Sequence, residues 1–238
     1  MRCLAPTLAA LALAVPALAQ DTDLELVLLA DASNSIDQSE ILFQRSGYAE
    51  ALRDKAVLEA ISNTLYGSIA ITYVEWASEG TEDVVVGWTL IDGPEAAAAF
   101  ADQLLAAPRR AFGRNSIGAA LLFGKRLIET NEIEGWRRVI DFSGDSANSY
   151  SGPAVGLARA EVLAAGITIN GLAVLCRNCS GAPRAGLAER YEAEIIGGPG
   201  SFVVAATDDA DFARAVRRKL ILEISGAMPA SRYAAAER

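Results

Sequence analysis

The segment Asp31-Ala32-Ser33-Asn34-Ser35 places one carboxylate and two hydroxyls at alternate positions directly after an apolar run. Alternate residues of an extended chain point the same way, so Asp31, Ser33 and Ser35 can converge on one ion. One carboxylate with two hydroxyls suits a small hard cation that keeps part of its water. The same residue types also build the turn before a helix, and the pentapeptide alone leaves both possibilities open. A second acid, Asp145, follows Ser143-Gly144 at the end of another apolar run. If the two runs are neighbouring strands, Asp31 and Asp145 face each other and repel unless a cation lies between them. Asp141 is the competing acid, but it falls inside its run, where a structural partner suits it better.

The 238-residue chain contains no histidine. This removes the Ser-His-Asp triad, the Cys-His pair and nearly every catalytic zinc site. Any metal must be held mainly by oxygen, which points to Mg²⁺, Mn²⁺ or Ca²⁺. Cys176 and Cys179 remain once an amino-terminal leader is set aside, and in an oxidising compartment they are expected to form one short-loop disulfide. The alternative, a redox-active Cys-x-x-Cys, fits poorly because the pair follows a late strand and precedes a Gly/Pro turn.

Residues 1–19 read as a secretory signal peptide: Arg2, an apolar run, then Ala17-Leu18-Ala19 before Gln20. The run is short for a bilayer span, and no later stretch is longer, so no membrane anchor is expected and the location is periplasmic or secreted. The chain carries 30 acidic against 21 basic residues, a net charge of −9. Such a surface repels phosphate backbones and anionic lipid, which argues against nucleic-acid partners.

Strand and helix patterns alternate along residues 20–226, the signature of one α/β domain with a mostly parallel sheet covered on both faces. Strands are predicted at 24–30, 68–76, 83–89, 137–143, 167–175 and 202–206. Helices are predicted at 39–60 with a break near Lys55, and at 94–106, 116–130, 152–165, 183–195 and 208–224. Asp37 or Ser39 can cap the first helix, and Pro94 takes the favoured first position of the second. Strands two and three are close enough for a hairpin. The expected architecture is three-layer, doubly wound and six-stranded, in order 3-2-1-4-5-6 with one antiparallel edge strand. Residues 227–238 have little to bury and read as a flexible tail. Gly197-Gly198-Pro199-Gly200 precedes a strand rather than a helix and reads as a tight turn, not a phosphate loop. Trp76 and Trp88 belong to strands.

Five collinear segments carry a resemblance. They are Val27-Leu28-Leu29-Ala30-Asp31-Ala32-Ser33-Asn34-Ser35, Ser116-Ile117-Gly118-Ala119-Ala120-Leu121, Val139-Ile140-Asp141-Phe142-Ser143-Gly144-Asp145, Ile169-Asn170-Gly171-Leu172 and Ile196-Gly197-Gly198-Pro199-Gly200. With these the chain resembles the von Willebrand factor A-like domains, and more narrowly an uncharacterised secreted bacterial branch, domain of unknown function 1194. The resemblance implies a metal-ion-dependent adhesion site with Asp31, Ser33, Ser35 and Asp145 as ligands. The family usually has Thr in the loop before the helix that starts near Ser116. Here Asn115 falls on that position and Ser116 just after it, so either Asn115 or Ser116 would supply the remaining protein oxygen.

The leading expectation is therefore a non-enzymatic protein that binds Mg²⁺ (or Mn²⁺ or Ca²⁺) and, through it, a protein ligand that offers a carboxylate. Arg114, in the same loop, either meets an acidic partner or is a solvated charge. Two alternatives differ in class. One is a structural domain whose metal site has degenerated, and metal titration separates it. The other is a metal-assisted hydrolase, although the sequence lacks an Asp-x-Asp pair at a strand end, a P-loop and a Gly-x-Ser-x-Gly elbow.

Overall fold

In the computed structural model, residues 20–175, 185–207, 209–228 and 233–234 are described. The leader, Cys176 and Cys179 lie outside them. In chain order the elements are β1 (Gln20–Asp31), α1 (Gln38–Arg53), α2 (Lys55–Ser62), β2 (Ile69–Trp76), β3 (Asp83–Ile91), α3 (Pro94–Ala106), α4 (Ile117–Glu129) and β4 (Ile133–Gly144). They continue with α5 (Val155–Ala164), β5 (Thr168–Val174), α6 (Leu187–Arg190, extended by a π-turn at Tyr191–Ile195), β6 (Val203–Ala206), α7 (Asp209–Ser225) and β7 (Tyr233–Ala234).

Strand order is β3-β2-β1-β4-β5-β6-β7. β1 pairs in parallel with β2 on one side and β4 on the other, and β3 alone runs antiparallel, joined to β2 as the anticipated hairpin. The six expected strands thus stand in the order 3-2-1-4-5-6. The two-residue β7 adds to the outer edge of β6, where unpaired backbone groups offer a template for one more strand.

The two-residue period of a strand sorts the core into two layers. Leu24, Leu26 and Leu28 of β1 meet Tyr48 and Leu52 of α1, Phe100 of α3, and Phe212, Val216 and Leu220 of α7. Val27 and Leu29 point the other way, toward Ile117 and Leu121 of α4, Ile140 and Phe142 of β4, and Val162 of α5. Each fully buried aliphatic or aromatic side chain contributes about 1.5–3 kcal/mol relative to exposure, so the alternation holds β1 centrally. A third, small cluster of Ala32, Ile36, Ile41, Ala77 and Ala111 lies beneath the loop that follows β1.

Local chemistry sets the element ends. Asp54 interrupts the first helical stretch and caps α2, its Oδ1 accepting from Ala56 N at 2.8 Å. α5 starts three residues later than its periodicity suggests, because Gly152 takes a left-handed φ of +75° and Pro153 follows it. Gly198 and Gly200 also have positive φ, as a tight turn requires.

Candidate metal centre

Asp31 is the last residue of β1, and the parallel register places Ala30 opposite Ser143 of β4. The β1 and β4 ends therefore lie side by side, with Asp145 one residue past β4. Gly144, the last residue of β4, leaves little room for a side chain beside Asp31. A Cβ there would sit 3.2 Å from Asp31 Oδ2, 3.0 Å from Tyr191 Oη and 3.3 Å from Trp76 Cζ2. Trp76 supports this floor, stacked on Phe142 at 4.9 Å, with its Nε1 donating to Ser143 O at 3.3 Å.

The loop after β1 turns back on itself. Ser33 N donates to Asp31 Oδ1 at 2.8 Å, and Ser33 Oγ lies 3.0 Å from Ser35 Oγ. Asp31, Ser33, Asn115, Ser116 and Asp145 are buried, whereas Ser35 is exposed. The helix-capping function is filled elsewhere. Asp37 accepts from Glu40 N at 2.9 Å, while Asp37 N donates to Glu40 Oε2 at 2.7 Å, a complete capping box. Capping of α1 therefore does not account for the acid and two hydroxyls upstream of it.

A second loop closes on the first. Asn34 N donates to Gly113 O at 2.8 Å, and Gly113 N donates to Asn34 Oδ1 at 2.9 Å. Ser35, Asn115 and Asp145 line one pocket of about 570 Å³, together with Asn34, Arg114 and Tyr150. Asn115 O accepts from Tyr150 N at 2.8 Å, which ties the segment after Asp145 to this loop. Ser116 differs from its neighbour: its Oγ donates to Ser151 O at 2.9 Å, directly beneath Gly152, where a Cβ would come within 2.2 Å of it. The N–H of buried Ile117 at the start of α4 donates to Ser149 Oγ at 3.1 Å.

Arg109 was not anticipated from sequence. Its guanidinium donates to Ala32 O at 2.6 Å, Ser33 O at 3.2 Å and Ile36 O at 2.8 Å, and Nε donates to Ala111 O at 3.2 Å. It thus gathers three carbonyls of the loop carrying Asp31, Ser33 and Ser35. Behind it, the buried Arg45–Glu75 pair at 2.7 Å links α1 to β2, and Arg45 also donates to Pro108 O at 3.3 Å, one residue before Arg109. Burial raises the Glu75 carboxyl above its ordinary range, opposed by Arg45.

Asp141 faces the opposite layer. It pairs with Lys219 of α7 at 2.8 Å, both side chains 1% exposed, and Lys219 also contacts Glu223. Asn170 Nδ2 donates to Glu223 Oε1 at 3.0 Å. The competing acid therefore has the structural partner its position in the strand suggested.

Among the described residues no group of three or more His, Cys, Asp or Glu side chains is arranged to hold a metal. The side chains anticipated as ligands, Asp31, Ser33, Ser35, Asn115 and Asp145, are instead two carboxylates, two hydroxyls and an amide, all oxygen. That donor set fits a hard divalent cation and does not fit a thiolate- or imidazole-bound one.

An open sheet with β1 inside it, one antiparallel edge hairpin and an Asp-x-Ser-x-Ser loop at the carboxyl end of β1 is the arrangement of the von Willebrand factor A-like fold. Residues 21–228 match the family described as "Protein of unknown function (DUF1194)", and the chain belongs to it. No curated protein matches the chain in sequence. Among solved structures, the fold is similar to proximal thread matrix protein 1 from the mussel byssus, in a form whose metal-ion-dependent adhesion motif is occupied by zinc (TM-score 0.62, 14% identity, covering 87% of this chain and 49% of that one). It is also similar to the pilus adhesin SpaC from Lactobacillus rhamnosus GG (TM-score 0.61, 11% identity, 86% of this chain and 31% of that one). A third similar structure is the von Willebrand factor domain of the type V pili tip protein Mfa5 from Porphyromonas gingivalis (TM-score 0.57, 9% identity, 88% and 98%). The chain thus spans a third to a half of the first two proteins, and at these identities the likeness is one of fold.

Proposed function

We propose that this protein is exported and binds a divalent cation, Mg²⁺ or Mn²⁺ first among them, through Asp31, Ser33, Ser35, Asn115 and Asp145. Through that ion it engages a carboxylate of a partner protein. The observation that carries this is the adjacency of the β1 and β4 ends: Asp31 ends β1, Asp145 follows β4 by one residue, and Ser35 and Asn115 line the same pocket as Asp145. Asn115 is preferred over Ser116 because Asn115 lines the pocket with Ser35 and Asp145, whereas the Ser116 hydroxyl is turned away beneath Gly152, toward Ser151 O. The cation would supply positive charge for an incoming carboxylate. The protein's own part is to hold the oxygens in place, through Arg109 and the Asn34–Gly113 clasp, before the ion arrives. Export is supported by the leader-like residues 1–19 and by the likeness in fold to a pilus adhesin and a pili tip protein. No helix among the described residues is long and apolar enough to cross a membrane.

The ion is tested on chelator-stripped protein. Binding to the folded state is expected to raise stability by roughly 1.4 kcal/mol for each tenfold of metal above its dissociation constant. Calorimetry should give a heat with Mg²⁺ or Mn²⁺, and Asp145→Ala should lose both the heat and the thermal shift while remaining folded. No heat at millimolar metal, or an equal response in the variant, would sink the assignment in favour of a degenerate site.

Export carries a second expectation. Cys176 and Cys179 should be oxidised to one disulfide, with a modest stabilising effect because the closed loop is very short. Thiol titration of non-reduced protein decides it, and two free thiols would refute it.

A further inference from the structure

Arg114 stands apart from the arginines around it. Arg110 pairs with Asp83 and Arg190 with Glu194, and Arg109 is committed to backbone carbonyls. Among the described residues, Arg114 is paired with no carboxylate, although 30 acids outnumber 21 bases in the chain. Its guanidinium instead lies over the Tyr150 ring, 4.4 Å from the centroid. A guanidinium held against a ring in this way gains a cation–π contact, and because Arg114 is exposed its N–H donors remain available to a planar carboxylate.

Its backbone is held as firmly as the neighbouring candidate ligand. Arg114 N donates to Ser78 Oγ at 2.9 Å, and Ser78 Oγ lies 3.3 Å from Arg114 O. Gly113 has a φ of +119°, and a Cβ there would fall 2.1 Å from Ser78 Oγ, so the loop has no room to shift toward β2. Arg114 and Tyr150 line the same pocket as Ser35, Asn115 and Asp145. An aromatic ring lining the pocket is left in solvent, Tyr150 at 56% exposure, and Phe112, two residues before Arg114 in the same loop, is 53% exposed with Arg109 over its ring at 4.8 Å. Exposed Tyr, Phe and Arg clustered beside a polar pocket are the composition of a protein-binding surface, not of a small-ion site.

We infer that this rim selects a protein segment carrying two carboxylates: one for the cation, the second for Arg114, which the Tyr150 ring holds beside the pocket. The inference rests on the metal-bridged binding proposed above and names its partner class, an acidic segment with paired Asp or Glu. A partner with a single acid uses only the cation. A partner with a second acid at the right spacing gains a charge-assisted, bidentate contact beside it.

The test uses fluorescent peptides of otherwise neutral sequence, with one Asp, with two Asp spaced by one to three residues, or with Asp and Asn at those spacings. Free glutarate serves as the small dicarboxylate. Anisotropy is read on the Mn²⁺- or Mg²⁺-loaded protein, and metal uptake is measured separately by calorimetry. The best two-acid peptide is expected to bind about tenfold tighter than the Asp/Asn peptide, and glutarate to compete poorly. Arg114→Gln should level the two peptides to within about twofold while its metal heat stays that of wild type, and Tyr150→Phe should keep the preference because the ring remains. Equal binding of the two peptides to metal-loaded wild type, no peptide binding at all, or a preference that survives Arg114→Gln would overturn the inference and leave the metal site standing. Glutarate competing as well as the peptide would overturn the protein-segment assignment. Absence of any metal heat would remove both it and the reading beneath it, and calorimetry registers that outcome on its own.

Discussion

Lowering the pH from 8 to 5 is expected to stabilise the protein, against the usual trend for a carboxylate in an ion pair. Asp141, Lys219 and Glu223 form a buried cluster of two acids and one base. Fully ionised, it carries one uncompensated negative charge out of reach of water. Burial pushes the Asp141 carboxyl up to about 7, with Glu223 adding to the rise and Lys219 opposing it. Tyr48 of α1 and Tyr73 of β2 close the other sides of the cluster, and burial raises both phenols, so they stay neutral throughout the range. An unfolded aspartate titrates near 3.9. Between that value and about 7, the folded chain holds a proton that the unfolded chain has lost. Stability therefore rises as pH falls through about 7 and levels off near 4. The gain is at most about 4 kcal/mol, roughly 10 °C for a domain of this size. Asp141→Asn mimics the protonated form and leaves Lys219 paired with Glu223. It should flatten the pH dependence, match wild type at pH 5 and exceed it at pH 8, with its metal heat unchanged. Denaturant titrations at the two pH values measure this. A wild-type stability that does not change between them, or an Asn variant several kcal/mol weaker at pH 8, would refute the assignment.

Arg109→Met is expected to cost about 2–4 kcal/mol and to abolish the stabilisation by metal. The substitution keeps the apolar stem but removes every donor. Carbonyls of Ala32, Ser33 and Ile36, all in buried residues, then lose a charged partner, and each such loss is typically worth about 1–3 kcal/mol. Asp31 and Ser33 lie within the loop those carbonyls shape, so the oxygens lose their fixed positions even though none is deleted. Arg109→Lys, with one ammonium in place of a fork, should recover part of the stability and less of the metal heat. Urea midpoints with and without Mg²⁺ test both variants. A Met variant with wild-type midpoint and wild-type metal heat would show that the loop holds itself.

The one-dimensional pattern was enough for the frame. A strand reads in sequence through alternating burial, and β1 carries that pattern on both faces, so its central place and the strand order follow from local residues and from the rule that parallel strands need crossovers. The same holds for the Asp31-Ala32-Ser33-Asn34-Ser35 loop, whose residues sit within five positions of one another. It holds in part for Asp145, which is legible because it ends a strand. Local pattern could not say whether Asp37 or Ser39 capped α1, nor whether Asn115 or Ser116 faced the pocket. Both choices depend on which side chain a distant backbone group meets: Ser151 O draws the Ser116 hydroxyl away.

What only the tertiary structure decided are contacts between residues far apart in the chain. Nothing in Pro108-Arg109-Arg110 separates a loop clamp from a solvated charge, because the three carbonyls of the Asp31 loop that Arg109 serves lie 73 to 77 positions earlier. Lys219 and Glu223 read as the polar face of an amphipathic helix until α7 packs against β4 and carries them to Asp141. Hydrophobic periodicity records which face is buried. It does not record the partner of a polar group, since a carbonyl or carboxylate has no sequence signature for the donor that satisfies it. That choice is made by the packing of the layers, after the frame is in place.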